Sequence, residues 1–429
     1  MSRVHNVIVG DKIANLSIKY YGTASRTGLI VNANPQLKGR PTSLENLPTI
    51  YPGDVLNIPD ETINIVNLPE KRIFPDTIPV TERDGISFLL DGQIFSYYTT
   101  YEIDQRLESF DSIETSIPFD ETGNFIDVNF TPFSYKDIGV YYDGSLLFGG
   151  TLLSPRKDLN PSSKVFSLTL YPKCGVLNDC SVPDSLYPIE FENQNLQNIS
   201  RTLLQPFGVD AVFVESPGNP FKRLAPEPDE TIMNFLIDPS KQRGLILSNT
   251  AQGNLLFYKS LVSGESVSNF KEGEFPLISC FPNFNPQEYF SHITGILPVE
   301  KEKDSEKYTY ENRFLISKGI LRPYTFIVED SDSSDLRSAV EAKAARMFGA
   351  VCSYTISIQG HRDSNGNLLK KNTLINVLAP GGMIYKDTQF LIKNVKFTRN
   401  AESGDISTIE IVLPQSYAGQ IPEVLPWEQ

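Results

Sequence analysis

The sequence predicts an α+β protein that is mainly β: a small β-α-α-β domain precedes a multi-domain body with two similar β-barrel-like domains and an intervening α/β module. Three observations lead to this prediction. Residues 1–62 place two short helical patterns between two apolar strand patterns. Apolar and polar residues alternate in several later segments, most clearly in 165–171. The β-rich pattern of residues 137–172 recurs in residues 373–414.

The length and composition of the chain indicate a folded, multi-domain protein. Its 429 residues are too many for one hydrophobic core, and 40% of them are hydrophobic while 21% are charged. The net charge of −14 argues against a nucleic-acid-binding protein, which carries a basic patch. We expect five segments: a small domain at 1–62, a Pro-rich linker at 63–85, a β-barrel-like domain at 86–180, an α/β domain at 181–275 and a second β-barrel-like domain at 276–429 with an extended tail.

Cysteine usage and hydropathy indicate where the protein functions. Four cysteines in a chain of this length are typical of reduced, cytosolic thiols. The N-terminus lacks a basic segment followed by an apolar run, so no signal peptide is predicted. No run of about eighteen apolar residues occurs, so no membrane span is expected. The protein should function where it is made or leave inside a particle.

The N-terminal 62 residues have the pattern of a β-α-α-β domain. An apolar strand is predicted over Val4–Val9. Asp11 is a candidate cap for a helix over Lys12–Tyr21, and a second short helix ends at Asn32. Val55–Ile58 is predicted to be the closing strand because Pro59 follows it.

Two motifs in this segment resemble a LysM domain. The first contains Gly10-Asp11 and the second runs from Tyr51 to Pro59, although residues 36–49 form a longer excursion than usual between them. The resemblance implies a groove that binds N-acetylglucosamine polymers or a protein partner, with candidate contacts at Gly10, Asp11, Asn34, Pro35, Ile50 and Tyr51. The alternative, which we favour, is that these residues set turns and caps for the fold.

The middle of the chain is predicted to change from β to mixed structure. Asp91-Gly92 predicts a hairpin turn between two strands of the first β domain. Asn193 or Asn195 is the candidate cap of a helix in which Leu196, Ile199 and Leu203 share one face, and which ends at Pro206 and Gly208. A later helix is expected to start at a cap on Asp229 and to break or kink at Pro239.

One helix interrupts the predicted strands of the C-terminal segment. Acidic residues between Asp330 and Asp335 favour its start, and Gly349 is the candidate residue after its end. Before and after this region, residues 137–172 and 373–414 share an order: a strand, a glycine-containing turn, a long interrupted strand, a polar loop and an alternating strand. Two β-meanders can look alike by chance, and the alternative is two copies of one domain.

The stretch from Val165 to Glu215 resembles the baseplate hub proteins of Mu-like phage tails. Its most specific parts are Leu177-Asn-Asp-Cys180 and Gln205-Pro-Phe-Gly208, and the similarity extends from about residue 85 to about residue 418. The resemblance implies a homotrimeric ring, in the virion of a phage whose tail is of the contractile type. Its implied partners are a spike protein, a tube or tube-initiator protein, a tape-measure protein and other baseplate proteins.

No catalytic or metal-binding pattern stands out in the sequence. Its three histidines, His5, His292 and His361, do not pair at the spacing of metal ligands, and the cysteines form no C-x-x-C motif. We therefore predict no enzyme, no cofactor and no metal. A LysM-targeted peptidoglycan hydrolase or a cell-wall-binding protein is the alternative, since a catalytic carboxylate pair among 52 acidic residues leaves no sequence signature.

Overall fold

The computed structural model describes residues 3–21, 27–42, 47–58, 73–80, 85–118, 130–160, 163–297, 306–328, 333–417 and 425–427. The chain forms two units, residues 1–70 and residues 71–429. Within the described residues, no helix is long and apolar enough to cross a membrane.

The first unit has the predicted β-α-α-β order. Its described elements are β1 (Arg3–Asn6), α1 (Ile13–Tyr21), α2 (Thr27–Asn32), a 3-10 turn at Pro35–Leu37 and β2 (Val55–Ile58). β1 and β2 pair antiparallel. Two details of the prediction were wrong. The first strand ends at Asn6 because the chain turns at residues 8–11, and the Asp11 carboxylate bonds to that turn instead of capping α1.

The second unit is built mainly from strands. They are β3 (Ile86–Leu90), β4 (Gln93–Phe95), β5 (Thr100–Arg106), β6 (Ser112–Pro118), β7 (Asp137–Tyr142), β8 (Ser145–Asn160), β9 (Ser163–Pro172), β10 (Phe191–Gln194), β11 (Ala211–Phe213), β12 (Phe221–Leu224), β13 (Ile246–Asn249), β14 (Leu255–Tyr258), β15 (Asn269–Lys271), β16 (Leu277–Phe284), β17 (His292–Ile296), β18 (Lys307–Glu311), β19 (Pro323–Ile327), β20 (Cys352–Gln359), β21 (Leu374–Ala379), β22 (Ile384–Asn400) and β23 (Gly404–Val412). The helices are α3 (Val176–Asp179), α4 (Leu196–Leu204), α5 (Ile232–Gln242), α6 (Arg313–Ser317) and α7 (Ser333–Val351).

Thirteen of these strands form one continuous sheet. Its order is β16-β20-β23-β22-β5-β6-β9-β8-β7-β3-β4, and β21 joins β22 to β15. Strands from the first third of the chain therefore pair directly with strands from its last quarter, at the β22–β5 ladder. Buried side chains from both parts form one hydrophobic core, which includes Phe88, Phe148, Phe390 and Phe397.

Between these two strand sets, residues 174–257 form a mixed module with its own core. α4 begins as predicted, because the Asn195 side chain accepts a hydrogen bond from Asn198 N. The predicted cap of α5 was wrong, because its cap is Thr231, whose side chain accepts from Asn234 N. Of the two predicted effects of Pro239, a break or a kink, the break was wrong, because the helix continues past Pro239 to Gln242. Leu196, Ile199 and Leu203 are fully buried in this core, as their spacing predicts.

A small sheet packs against the long C-terminal helix. β17 lies between β18, antiparallel to it, and β19, parallel to it. Leu336, Val340 and Ala344 of α7 share a buried face against this sheet, as predicted. The prediction that the helix ends before Gly349 was wrong, since α7 continues to Val351 and leads directly into β20. A side chain at residue 349 would approach Ser416 and Tyr417, so the small residue serves packing.

Residues 73–80 of the predicted Pro-rich linker belong to the second unit and are hydrogen-bonded to its other residues. Gln252 Nε2 donates to Phe74 O at 2.9 Å, and Phe74 N donates to Gln252 Oε1 at 3.1 Å. Ile78 N donates to Gly144 O at 2.8 Å, at the turn between β7 and β8. Residues 73–80 therefore follow the surface of the strands, while most of the predicted linker lies outside the described residues.

Candidate functional site

The turn at Gly10 and Asp11 is held by the carboxylate of Asp11. Its Oδ2 accepts hydrogen bonds from Ile8 N and from His5 Nε2, both at 2.9 Å. These two bonds hold the pKa of Asp11 below its usual value, with the Ile8 amide as the larger cause. Gly10 has a φ of +97°, which favours glycine. Both residues are used by the fold itself.

Asn34 is buried, and internal partners use its side chain fully. Its Nδ2 donates to Ile30 O at 2.6 Å and to Asn57 O at 2.7 Å. Its Oδ1 accepts from Asn57 N at 2.7 Å and from Gln36 Nε2 at 3.1 Å. Asn34 therefore ties the end of α2 to β2, and it has no capacity left for a ligand.

Ile50 and Tyr51 lie side by side but face opposite environments. Ile50 is buried in the core of the first unit, while Tyr51 is 50% exposed. Asp54 fixes this loop by accepting from Tyr51 N at 2.8 Å and from Arg40 Nη2 at 3.0 Å. The Arg40 guanidinium lies 5.4 Å from the centre of the Tyr51 ring. Of the six candidate residues, Tyr51 and the exposed Pro35 leave the most side-chain surface for a partner.

The outer surface of the first unit carries several apolar side chains. Val4 and Val55 lie on the exposed face of the β1–β2 ladder, opposite the buried His5 and Leu56. Ile8 and Val9 are exposed in the turn that follows β1. Sequence reasoning missed this surface, although the alternation in β1 and β2 carries the signal. Neighbouring exposed apolar residues are typical of a docking surface for a protein.

In the second unit, the β22–β5 ladder joins the two strand sets. It pairs Asn394 with Arg106 at one end and Arg399 with Tyr101 at the other. Lys396 Nζ donates to Glu102 Oε1 at 2.6 Å on its outer face. The inward-facing Phe397 is fully buried on the other face. This ladder is a complete strand-to-strand interface within one chain.

Comparisons with known proteins identify what this second unit is similar to. Residues 174–259 match the family model for the baseplate hub protein gp44-like, second domain. This segment is the mixed module between the two strand sets, and it overlaps the stretch whose residues carry the predicted resemblance. The match shows that this module is similar to the second domain of gp44-like baseplate hub proteins.

Relatives and solved structures extend the similarity well beyond this module. Baseplate hub protein gp44 of Escherichia phage Mu is 22% identical over 337 residues, which are 74% of this chain and 85% of that protein. The 43 kDa tail protein of prophage MuSo2 from Shewanella oneidensis is 21% identical, with a TM-score of 0.65 over 77% of this chain and 99% of its own. A tail protein from Neisseria meningitidis MC58 is 18% identical, with a TM-score of 0.66 over 79% and 99%. The fold is therefore that of phage tail proteins.

One group of residues resembles a hydrolytic triad in composition. His361 Nδ1 lies 2.8 Å from Ser407 Oγ, and His361 Nε2 lies 3.8 Å from Asp405 Oδ1. However, Ser407 Oγ donates to Gly360 O at 2.7 Å, so the imidazole N–H donates to the serine and cannot take its proton. His361 and Ser407 are buried, and 3.8 Å is too long for a hydrogen bond. The contact is structural.

The thiols and acidic side chains that the structure describes show no reactive arrangement. Burial raises the pKa of all four cysteines: Cys280 to about 11, Cys352 to about 12, Cys180 above its usual value and Cys174 well above it. At neutral pH these thiols stay protonated and are poor nucleophiles. Among the described residues, no group of three or more His, Cys, Asp or Glu side chains could hold a metal ion.

Proposed function

We propose that this chain is a structural baseplate hub protein of a phage tail of the contractile type, in which three copies form a ring. The observation that carries the proposal is the pairing pattern of the second unit. A chain similar to baseplate hub proteins contains two strand sets, one before and one after the mixed module. Residues 137–172 of the first set and residues 373–412 of the second have the same order of strand, turn, long strand and strand. We interpret them as two copies of one barrel-like domain.

The repeat gives the ring its mechanical role. Three chains with two similar modules each provide six near-equivalent positions. A six-fold tail tube or tube-initiator protein would rest on one face of the ring, and a three-fold spike would attach to the other. The tape-measure protein and other baseplate proteins are the remaining proposed partners. The ring would assemble in the host cytoplasm and end up in the virion.

We propose that the first unit is a LysM domain that serves as a docking module for other tail proteins. Its exposed apolar residues, Val4, Ile8, Val9 and Val55, support a protein partner. Asp11 and Asn34, two of the predicted glycan contacts, already bond within the unit. Peptidoglycan remains the alternative ligand, and it would use Tyr51.

We propose that the protein is not an enzyme. The family model it matches describes a hub protein. In the buried His361–Ser407 contact the histidine donates to the serine, whereas a catalytic histidine must accept the serine proton. A LysM-targeted peptidoglycan hydrolase remains the alternative function. It predicts release of soluble glycan fragments from purified cell walls by the full-length protein alone.

The mass of the full-length protein in solution tests the hub proposal. Light scattering on the purified chain, alone and mixed with the spike protein of the same tail, should give three copies in at least the mixture. A strict monomer in both samples at high concentration would contradict the proposal. Turnover of purified cell walls by the chain alone would favour the hydrolase instead.

A further inference from the structure

The two strand sets agree residue by residue, which identifies corresponding positions between them. In the first set, the register of the β8–β9 ladder shifts between Leu152 and Ser154. In the second set, the register of the β22–β23 ladder shifts in the same way between Ile392 and Asn394. Leu152 therefore corresponds to Ile392, and Ser154 corresponds to Asn394. The bulge is a shared feature because it is inserted at the same place in both long strands.

The correspondence continues through the next two strands. β6 lies beside β9 as β20 lies beside β23. Beyond them, Ile103 of β5 pairs with Ile113 of β6, and Pro282 of β16 pairs with Tyr354 of β20. Because Ile113 and Tyr354 occupy equivalent places, β5 corresponds to β16, with Ile103 equivalent to Pro282.

Among the described strands, one ladder of the second set has no counterpart in the first. Residues 394–399 of β22 pair with β23 on one side and with β5 on the other. The equivalent part of β8, residues 154–159, pairs with β9 on one side, and no described strand lies on its other side. β16 likewise pairs with β20 alone among the described strands, so it presents an open edge. Each chain thus contains both strands that such a ladder would need, β8 and β16, but they do not pair with each other.

We propose that residues 154–159 of β8 pair antiparallel with residues 280–285 of β16 in a second copy of this chain, repeating between chains the β22–β5 ladder within the chain. The proposal rests on the proposed function as a ring. The register follows from the equivalences. Lys396 lies opposite Asp104, so Arg156 should lie opposite Asn283 of the neighbouring copy.

The exposed side chains of β16 support a strand partner. Phe281 and Ile278 of this edge strand are large apolar side chains, and they are 61% and 55% exposed. An open edge with exposed apolar side chains invites pairing with another strand. Within the chain, Lys396 reaches diagonally to Glu102, and the equivalent residues are Arg156 and Phe281. The Arg156 guanidinium should therefore lie over the Phe281 ring of the neighbour, as a cation–π contact.

Two prolines show how these edges are restricted to the correct partner. Leu107 N donates to Lys393 O, so alternate residues of β22 turn their backbone groups toward β5, among them Val395. Pro155 corresponds to Val395, and Pro282 corresponds to Ile103 on the facing strand. Each proline therefore lacks its N–H on the open side only, which leaves the ladder to β9 or β20 intact. Fewer donors on each edge disfavour pairing with unrelated strands.

The contact between copies should be weaker than the contact within a chain. Lys157 stands where the second set has the fully buried Phe397, and the two prolines remove hydrogen bonds. The two surfaces are also different from each other, so the interface is head-to-tail, and such interfaces close into a ring when the rotation allows it. We expect a ring that forms reversibly, at rising protein concentration, from folded chains.

A disulfide placed across the proposed ladder tests the register. The full-length variant Arg156→Cys/Asn283→Cys should form bands of two and three chains on non-reducing gels after mild oxidation, and peptide mass spectrometry should find residue 156 joined to residue 283. The off-register control is Arg156→Cys/Ser279→Cys. The control for folding is Asp104→Cys/Lys396→Cys, which should form a disulfide within one chain and no larger species.

The outcomes separate this proposal from the proposed function. Cross-linked trimers through residues 156 and 283, at several times the yield of the off-register control, support the ladder. A wild-type trimer by light scattering without this cross-link, while the folding control forms its internal disulfide, overturns the ladder and leaves the hub proposal standing. A cross-link only to a different tail protein also overturns it. A wild-type protein that is never trimeric, alone or with the spike, overturns both.

Discussion

Lys396 Nζ donates to Glu102 Oε1 at 2.6 Å, which connects two strands whose residues are 294 positions apart in the chain. The ion pair lies on the outer face of the ladder, with both side chains about two-fifths exposed, at 40% and 43%. The inner face is closed by Phe397 and Ile103, which are buried. The polar pair thus marks the register of the junction, and the apolar pair provides most of its stability.

The first prediction compares these two faces. Phe397→Ala should lower the free energy of unfolding by about 3–5 kcal/mol, because it removes a fully buried ring and leaves a cavity. Lys396→Met should lower it by less than about 1 kcal/mol, because exposed ion pairs contribute little. Denaturant titrations followed by circular dichroism measure both values. Equal losses for the two variants would contradict this prediction, because they would show that the ion pair contributes as much stability as the buried ring.

A buried ion pair joins the mixed module to both strand sets. Lys371 Nζ donates to Asp111 Oδ1 at 2.5 Å and to Ser248 Oγ at 2.6 Å. Asp111 also accepts from Arg106 N and from Asn249 Nδ2. Burial raises the pKa of Asp111, and Lys371 opposes this effect. The carboxylate therefore depends on the lysine to remain charged inside the protein.

The second prediction removes this lysine. Lys371→Met should cost about 3–5 kcal/mol at neutral pH, because it leaves a buried carboxylate without its cation. A carboxyl group whose pKa is raised by folding binds its proton more tightly in the folded state, so the variant should regain stability as the pH falls through that raised pKa. Unfolding midpoints at about pH 8 and about pH 5 measure the recovery. The double variant Asp111→Asn/Lys371→Met is the control and should lack it.

Local patterns predicted the elements whose determinants lie close together in the sequence. The cap on Asn195 and the buried face of α4 follow from spacing alone. The hairpin at Asp91 and Gly92 was also predicted, and both residues have positive φ values of 48° and 79°. The sequence predicts the cap of α5 at Asp229. Thr231 is an equally good capping residue, and only the backbone geometry selects it.

Local sequence patterns did not predict strands that contain several charged residues, nor the pairing of strands that are far apart in the chain. β5 contains Glu102, Asp104 and Arg106, which interrupt its apolar pattern, and its charges are satisfied by β22 and by one another. The open edges of β8 and β16 follow from the register of ladders that join residues far apart. The local composition of β16 does not indicate that, among the described strands, it pairs on one side only.

The third prediction concerns glycan binding by the first unit. If this unit docks onto proteins, titration of full-length protein with chitooligosaccharides should show no micromolar binding, because Asp11 and Asn34 are already bonded within the unit. Isothermal calorimetry or tyrosine fluorescence measures the affinity. Micromolar binding that disappears in Tyr51→Ala but persists in Tyr97→Ala, another exposed tyrosine in the second unit, would favour cell-wall recognition.

The last prediction concerns DNA and the proposed ring. If DNA passes through the centre of a hub ring, the channel must not hold it. Duplex DNA has about one negative charge per 1.7 Å of its axis, so a basic channel would bind it by releasing counterions. Each chain has a net charge of −14, and three chains have three times −14, or −42. We therefore expect carboxylates to outnumber Lys and Arg on the inner surface of the ring.

Fluorescence anisotropy of a labelled duplex, at low and at moderate salt, tests this expectation on the assembled ring. The anisotropy should stay at the value of free DNA at both salt concentrations, because acidic surfaces repel the phosphates at long range and most strongly at low salt. A basic protein of similar mass provides the positive control and should lose its binding steeply as salt rises. Tight, salt-dependent binding by the ring itself would contradict an acidic channel and would indicate that its basic side chains gather on the inner surface.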